Sequence, residues 1–322
     1  MRAVVIDAPG PPEVLQVRQM PIPVAQPGEV LVRVSAFGLN RSELHFRRGV
    51  ASFGSFPRVP GIEAVGVVVA SPGSEVPVGT QVAALMGGMG RTRDGGYAEY
   101  VCVPVKSVIP FQSRLPWATL GAVPEMLQTA YGSLSTGVDG GKGQTLLIRG
   151  ATSSVGLALA ALARRAGLTV IGTTRSAAKA ATLATHVDHV VVDEGAVAAA
   201  VRGLFPDGVD AAVELVGTNT LPDTLRATRV HGVVCFTGML SDQWTIPEFY
   251  PMDVIPNGVR LTAYSGEASD LPAAVLQEFL GAVATGEVDV PIGRTYALDE
   301  VVQAHRDMEE GRLFGKGVVV ID

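Results

Sequence analysis

The residues best suited to hold an anion lie in GATSSVG, positions 150–156, between the apolar run TLLIR and the alanine-rich stretch SVGLALAALARRAG. A strand followed by small residues and a helix leaves first-turn N–H groups without intrahelical acceptors at the positive end of the helix dipole, which suits a phosphate. The dinucleotide fingerprint uses three glycines there, for the tight turn, for approach to the pyrophosphate and for helix-on-strand packing. Aligned on its last position, this stretch offers Ala151, Ser153 and Gly156, so only the third glycine is kept. Ser153, Ser154 and Val155 would then supply amides, and a serine at a helix start can cap the helix and donate a hydroxyl to a phosphate. The next apolar run, LTVIGTTRSAAK, ends without the carboxylate that would bind a ribose 2′-OH. Its exit presents Thr173, Thr174, Arg175, Ser176 and Lys179, with Arg175 and Lys179 one helical turn apart. Cations and hydroxyls suit a 2′-phosphate, so the expected cofactor is NADPH. A solvated helix start would also account for Arg175 and Lys179, but not for the missing carboxylate. Further on, ELVGTN and FTGML put Val216, Thr237, Gly238 and Met239 where apolar runs end and a crevice must admit a cofactor; ordinary turns use such residues too.

These residues need a frame. Residues 1–120 read as short β-rich segments punctuated by Pro and Gly: RAVVI, EVLVRVSAFGL, AVGVVVA, TQVAAL and AEYVCV. From about 121 to 265, helical alanine-rich stretches alternate with continuous apolar runs such as LTVIGTT, HVVVD, DAAVELV and GVVCFTG. Strands buried on both faces of a parallel sheet require such runs, so this part is expected to be a doubly wound α/β domain. Residues 266–322 change style again, with LPAAVLQEFLGAVATG and DEVVQAHRDMEEG helical and RTYAL and GKGVVVID extended. They are expected to pack back onto the first lobe, leaving the α/β domain as an insertion and a ligand cleft at the junction.

Taken together, GEVLVRVSAFGLNRSEL, PGIEAVGVV, GTQVAAL, GGYAEYV, TAYGSL, GATSSVG with GTTRSAAK, and GKGVVV resemble the medium-chain dehydrogenase/reductase superfamily, in its quinone oxidoreductase-like branch. The resemblance implies an α/β protein with a GroES-like β-rich catalytic domain interrupted by a Rossmann domain. It further implies NADPH as hydride donor, with Lys316 among the cofactor-contacting residues, and a homodimer through the edge of the Rossmann sheet. Zinc-containing members place three metal ligands where this chain has Asn40, Ile62 and Glu125, a set that cannot make a tetrahedral N/S site, and the loop MGGMGRTRD lacks the cysteines of a structural zinc lobe. No metal is therefore expected. Branch members often have two glycines at Ser153 and Ser154, and a tyrosine under the adenine where Asp193 stands.

Without a Lewis acid, reduction of an electron-poor C=C bond or a quinone is the less demanding chemistry, because the developing enolate or quinol oxygen needs only hydrogen-bond donors or a water. Candidate catalytic residues are Asn40, as donor to the substrate oxygen or holder of the nicotinamide carboxamide, and Ser42, as proton relay. Thr129 falls where the resemblance implies a nicotinamide contact, and a threonine early in a helix can equally bond its own backbone. Glu125 reads either as a proton donor in an apolar pocket or as a helix-start carboxylate after Pro124. Glu63 is expected to be a buried partner of an arginine, and His45 a partly exposed polar residue. Phe46, Phe53, Phe56, Met86, Met89, Trp244, Phe249 and Tyr250 are expected on loops that could wall a hydrophobic pocket, with some of them in the core.

The bulk properties agree with a small-molecule enzyme. A 322-residue chain, 47% hydrophobic and 17% charged, with net charge −6, has no basic stripe for nucleic acid and no apolar stretch long enough to span a membrane. The opening MRAVVIDAPG reads as a strand and turn, and Cys102 and Cys235 as buried reduced thiols, which together suggest a cytoplasmic location. The expected activity is an NADPH-dependent, zinc-independent reduction of quinones or α,β-unsaturated carbonyl compounds. The alternatives are a non-catalytic NADPH-binding sensor or structural protein, and an enoyl reductase or tailoring oxidoreductase of secondary metabolism.

Overall fold

The computed structural model describes residues 1–50, 54–73 and 76–321. The chain divides into unit 1, Met1–Gln128 with Glu267–Asp322, and unit 2, Thr129–Gly266; the first boundary falls inside the helix Pro124–Gly132.

Unit 1 begins with strands β1 (Arg2–Val5), β2 (Gln16–Gln19), β3 (Glu29–Gly38), β4 (Glu63–Ala70), β5 (Gln81–Leu85), β6 (Tyr100–Pro104) and β7 (Val108–Phe111). In β3, buried Val32, Val34 and Ala36 alternate with exposed Arg33 and half-buried Ser35, the period-2 pattern of a strand with one face on a core. That core gathers Val32, Val34, Phe37, Val68, Val82, Tyr97, Val101 and Val103.

Unit 2 contributes β8 (Thr145–Arg149), β9 (Thr169–Thr174), β10 (His189–Val192), β11 (Val209–Glu214), β12 (Thr228–Phe236) and β13 (Arg260–Ala263). Among the described residues they form one sheet in the order β10-β9-β8-β11-β12-β13, every neighbouring pair parallel. The runs Leu146–Ile148 and Ala211–Val213 are fully or almost fully buried, as strands covered on both faces must be. Chain order runs outward from β8 in one direction and then, from β11, in the other. In an open parallel sheet, ligands bind at such a reversal, beyond the carboxyl ends of the strands.

The chain then returns to unit 1 as β14 (Ile292–Tyr296) and β15 (Lys316–Val320). The unit-1 sheet runs β14-β15-β3-β4-β5-β7, with β6 also paired to β3. Pairing of β15 with β3 is antiparallel, Val318 opposite Gly38, which brings Lys316 to the end of β3 where Asn40 follows. Because β4 starts at Glu63 and is antiparallel to β3, three polar residues remote in sequence arrive at one end of the sheet.

Candidate functional site

In unit 2, the carboxyl end of β8 runs directly into the loop of small residues. Gly150 has φ +88°, a left-handed conformation that a side chain disfavours, and its N–H donates to the Thr173 hydroxyl at 3.0 Å. Gly150, not Ala151, therefore makes the tight turn; alignment by spacing alone overlooked it. Ser153 is the N-cap of the helix Ser154–Arg165, its Oγ accepting from the Gly156 N–H at 3.1 Å and donating to the Gly150 carbonyl at 2.9 Å. A Cβ on Gly156 would lie 2.7 Å from the Ala151 Cα and 2.8 Å from the carbonyl oxygens of Ala151 and Gly150, all backbone atoms with no room to yield. Gly156 thus does what the third glycine of the fingerprint does, letting the helix approach the strand.

Other expected contacts of this unit separate into two kinds. Thr173 is buried and its hydroxyl serves Gly150, while the Thr174 hydroxyl accepts from the Ser176 N–H at 3.2 Å, so both stabilise the loops themselves. Arg175 is exposed just beyond β9, and Lys179 is half-buried in the following helix, Ala177–Leu183. The Val216 N–H donates to Glu214 Oε1 at 2.7 Å, and the Thr237 hydroxyl is 3.0 Å from that of Ser133, which in turn donates to the Thr129 carbonyl at 2.7 Å. Gly238 packs against the backbone of Leu215, and Met239 follows it at partial exposure.

A residue outside the sequence expectations holds this end of the sheet together. Arg149, the last residue of β8, is fully buried. Its Nε and one terminal nitrogen donate to the two carboxylate oxygens of Asp193 at 2.9 and 3.0 Å, and the other terminal nitrogen donates to Asp223 Oδ2 at 2.8 Å and the Thr220 carbonyl at 3.1 Å. Burial works against the cation, but Asp193 first and then Glu214 and Asp223 hold it above its ordinary pKa. Asp193, at the position compared with an adenine-covering tyrosine, is thereby committed to an ion pair. The signal was available: a lone arginine ends an otherwise apolar strand.

In unit 1, Asn40, Glu43, Glu63, Glu125 and Lys316 form a buried polar cluster. The Lys316 side chain is 1% exposed, and its Nζ donates to Asn40 Oδ1 at 2.5 Å, Glu63 Oε1 at 2.8 Å and Glu125 Oε2 at 3.3 Å. Three acceptors meet three N–H groups, so the residue is an ammonium ion. Burial opposes that charge, yet Glu63 and Glu125 outweigh it and keep the pKa above the usual lysine value. Asn40 Nδ2 donates to Glu63 at 3.0 Å and, more weakly, to Glu43 at 3.4 Å. Glu43 accepts from the Asn40 N–H at 2.7 Å and the Ile62 N–H at 2.8 Å; burial pushes it up to about 7, against the pull of nearby Arg91. Glu63 accepts the Glu125 N–H at 2.8 Å and is likewise raised by burial, with Lys316 opposing.

This geometry corrects several expectations. Asn40 is buried with both ends of its amide engaged inside the cluster, so it does not present a donor outward. The partner of Glu63 is a lysine, because β15 delivers Lys316 to the end of β3. His45 is buried in the helix Arg41–Arg47. Phe46 and Met89 belong to the unit-1 core, Phe46 stacking on Phe56 with ring centroids 4.7 Å apart, while Trp244, Phe249 and Tyr250 are exposed. Cys235 is buried, but Cys102 is only partly so and its Sγ is 3.4 Å from Glu29. Phe53 lies outside the described residues. Ser42, half-buried, accepts from the Arg91 guanidinium, and Glu125 keeps 12% of its side chain exposed. Both are more exposed than Asn40 or Lys316.

Residues 26–113 match the alcohol dehydrogenase GroES-like domain, and residues 185–319 match a family described as zinc-binding dehydrogenase. A mouse quinone oxidoreductase is 28% identical over 97% of this chain and 95% of its own. The crystal structure of AibC is 30% identical with a TM-score of 0.89, covering 100% of this chain and 96% of that one. A mycobacterial protein solved in complex with NADPH is 26% identical with a TM-score of 0.87, covering 99% of both chains. No described helix is long and apolar enough to cross a membrane.

Proposed function

Since the chain belongs to the medium-chain dehydrogenase/reductase superfamily, in its quinone oxidoreductase-like branch, we propose that it is an NADPH-dependent, zinc-independent reductase of quinones or α,β-unsaturated carbonyl compounds. The carrying observation is the turn at the reversal point of unit 2: positive-φ Gly150, the Ser153 cap and a Gly156 whose close approach admits no side chain. These residues fit a dinucleotide. The first-turn amides of Ser154 and Val155 would hold the pyrophosphate, and Val216, Thr237, Gly238 and Met239 would line the crevice, with Gly238 leaving space in it. Exposed Arg175, with Lys179, would receive the 2′-phosphate, consistent with the NADPH complex of the mycobacterial relative.

Bound NADPH would supply a hydride from nicotinamide C4 to the β carbon of the enone or to the quinone. Thr129 is assigned to the nicotinamide. In unit 1 the Ser42 hydroxyl, which accepts from Arg91, is assigned as donor to the substrate oxygen, and the Glu125 carboxylate as the acceptor that orients a solvent molecule supplying the proton. The donor set supports a reaction without zinc: of the three positions compared with metal ligands, Asn40 and Glu125 are turned to an ammonium ion and Ile62 offers only its backbone N–H. We further assign a homodimer through an edge of the unit-2 sheet, detectable as twice the chain mass in light scattering, and a cytoplasmic location. Stopped-flow loss of NADPH absorbance against a panel of quinones and enones tests the reading; tight NADPH binding with no oxidation by either class would overturn it.

A further inference from the structure

The unit-1 cluster contains one group for which the proposed reaction has no direct use. Lys316 is buried, with 1% of its side chain exposed, and its three N–H groups are saturated by partners from three separate segments: Asn40 after β3, Glu63 at the start of β4 and Glu125 in the helix Pro124–Gly132. A buried ammonium with three oxygen ligands fixes their directions as a bound cation fixes its ligands. The Glu125 backbone is tied into the same knot, its N–H donating to the carboxylate that Lys316 neutralises. Both carboxylate and backbone of Glu125 are therefore set by one charge. Glu43 belongs to the same cluster, and the other charged and titratable groups near it are Arg91 and Tyr97.

We infer that Lys316 is a positioning residue, the resident cation of unit 1, which orients Glu125 for the reaction proposed above, with Asn40 and Glu63 as its other anchors, and makes no contact with the cofactor. The inference rests on that reading of the function. It departs from the expectation that Lys316 binds the cofactor, and the two differ in what they leave unchanged.

The test compares wild type, Lys316→Ala and the double variant Lys316→Met/Glu63→Met, measuring the NADPH dissociation constant by fluorescence and kcat with the best quinone or enone. Removing the cation lowers kcat about 10- to 100-fold, the scale set by misplacing a catalytic group, with the NADPH dissociation constant unchanged. In Lys316→Ala, methylammonium or ethylammonium ions restore kcat in a saturable manner and the corresponding alcohols do not. The double variant removes both charges and replaces them with apolar volume, which preserves folding when a single deletion would not. It is expected to unfold at about the wild-type temperature and still have low kcat. Recovery of wild-type kcat in the double variant would show that Lys316 serves only stability, and a rise in the NADPH dissociation constant parallel to the loss of kcat would place Lys316 on the cofactor; either overturns the inference. If neither quinones nor enones oxidise NADPH in the wild type, the functional reading has failed instead.

Discussion

Arg149→Met provides the sharpest test of how unit 2 is held together. The guanidinium is 0% exposed and bridges two carboxylates, Asp193 at 5% and Asp223 at 9% side-chain exposure, which are poorly screened once the cation is gone, Asp223 keeping only the exposed Arg226 at 3.7 Å. Removing one partner of a buried ion pair costs about 3–5 kcal/mol. At roughly 2–4 °C per kcal/mol for a unit of this size, the unfolding temperature falls by about 6–20 °C. Carbonyls of Thr220 and Gly195 lose their donor as well, which pushes toward the upper part of that range. Thermal unfolding followed by circular dichroism at neutral pH measures the shift. Adding Asp193→Asn and Asp223→Asn to Arg149→Met removes the stranded charges and is expected to recover part of the loss. A shift below about 2 °C, or a triple variant no more stable than the single one, would refute the claim that this ion network organises the strand ends.

Two buried groups set opposing pH dependences. Burial lowers His305 to about 3 from an ordinary 6.5, so only the unfolded chain takes up that proton as pH falls. Its contribution is full above 6.5 and is lost toward 3, at about 1.4 kcal/mol per pH unit. Glu43, raised to about 7 from 4.5, contributes fully below 4.5 and loses that contribution as pH rises through 7. Between these limits the slopes oppose, so urea midpoints of Glu43→Gln fall more steeply with acid than those of wild type, and those of His305→Gln less steeply. Arg175→Ala is expected to raise the KM for NADPH at least about tenfold, the loss of one charge-assisted contact, while leaving that for NADH nearly unchanged; equal losses would remove the 2′-phosphate assignment. Gly156→Ala forces the helix Ser154–Arg165 off β8, so it is expected to weaken NADPH binding more than it lowers kcat at saturation, as steady-state kinetics would show.

What the sequence made legible was local. Alternation in EVLVRV and unbroken apolar runs in TLLIR and DAAVE announce strands by their period, and β3, β8 and β11 follow them. Ser153 was readable as a cap because a cap depends on neighbours three residues away. The two ion networks were not readable in full, because they depend on strand order. Lys316 and Asn40 are 276 residues apart, and Arg149 and Asp193 are 44 apart; only the pairing of β15 with β3, and the positions of β8 and β10 in one sheet, bring them together. Asn40 shows the limit most clearly. Its type and place at a strand end suggested a donor facing substrate, but its amide was already required by a lysine from the other end of the chain.

The central claim, hydride transfer from a bound nicotinamide, is tested most directly by single-turnover mixing of the enzyme with C4-deuterated NADPH and each substrate class. Slower oxidation than with unlabelled NADPH is predicted for any substrate that reacts, with the deuterium recovered on the β carbon when that substrate is an enone. NADPH that binds but remains unoxidised before both quinones and enones would contradict the account.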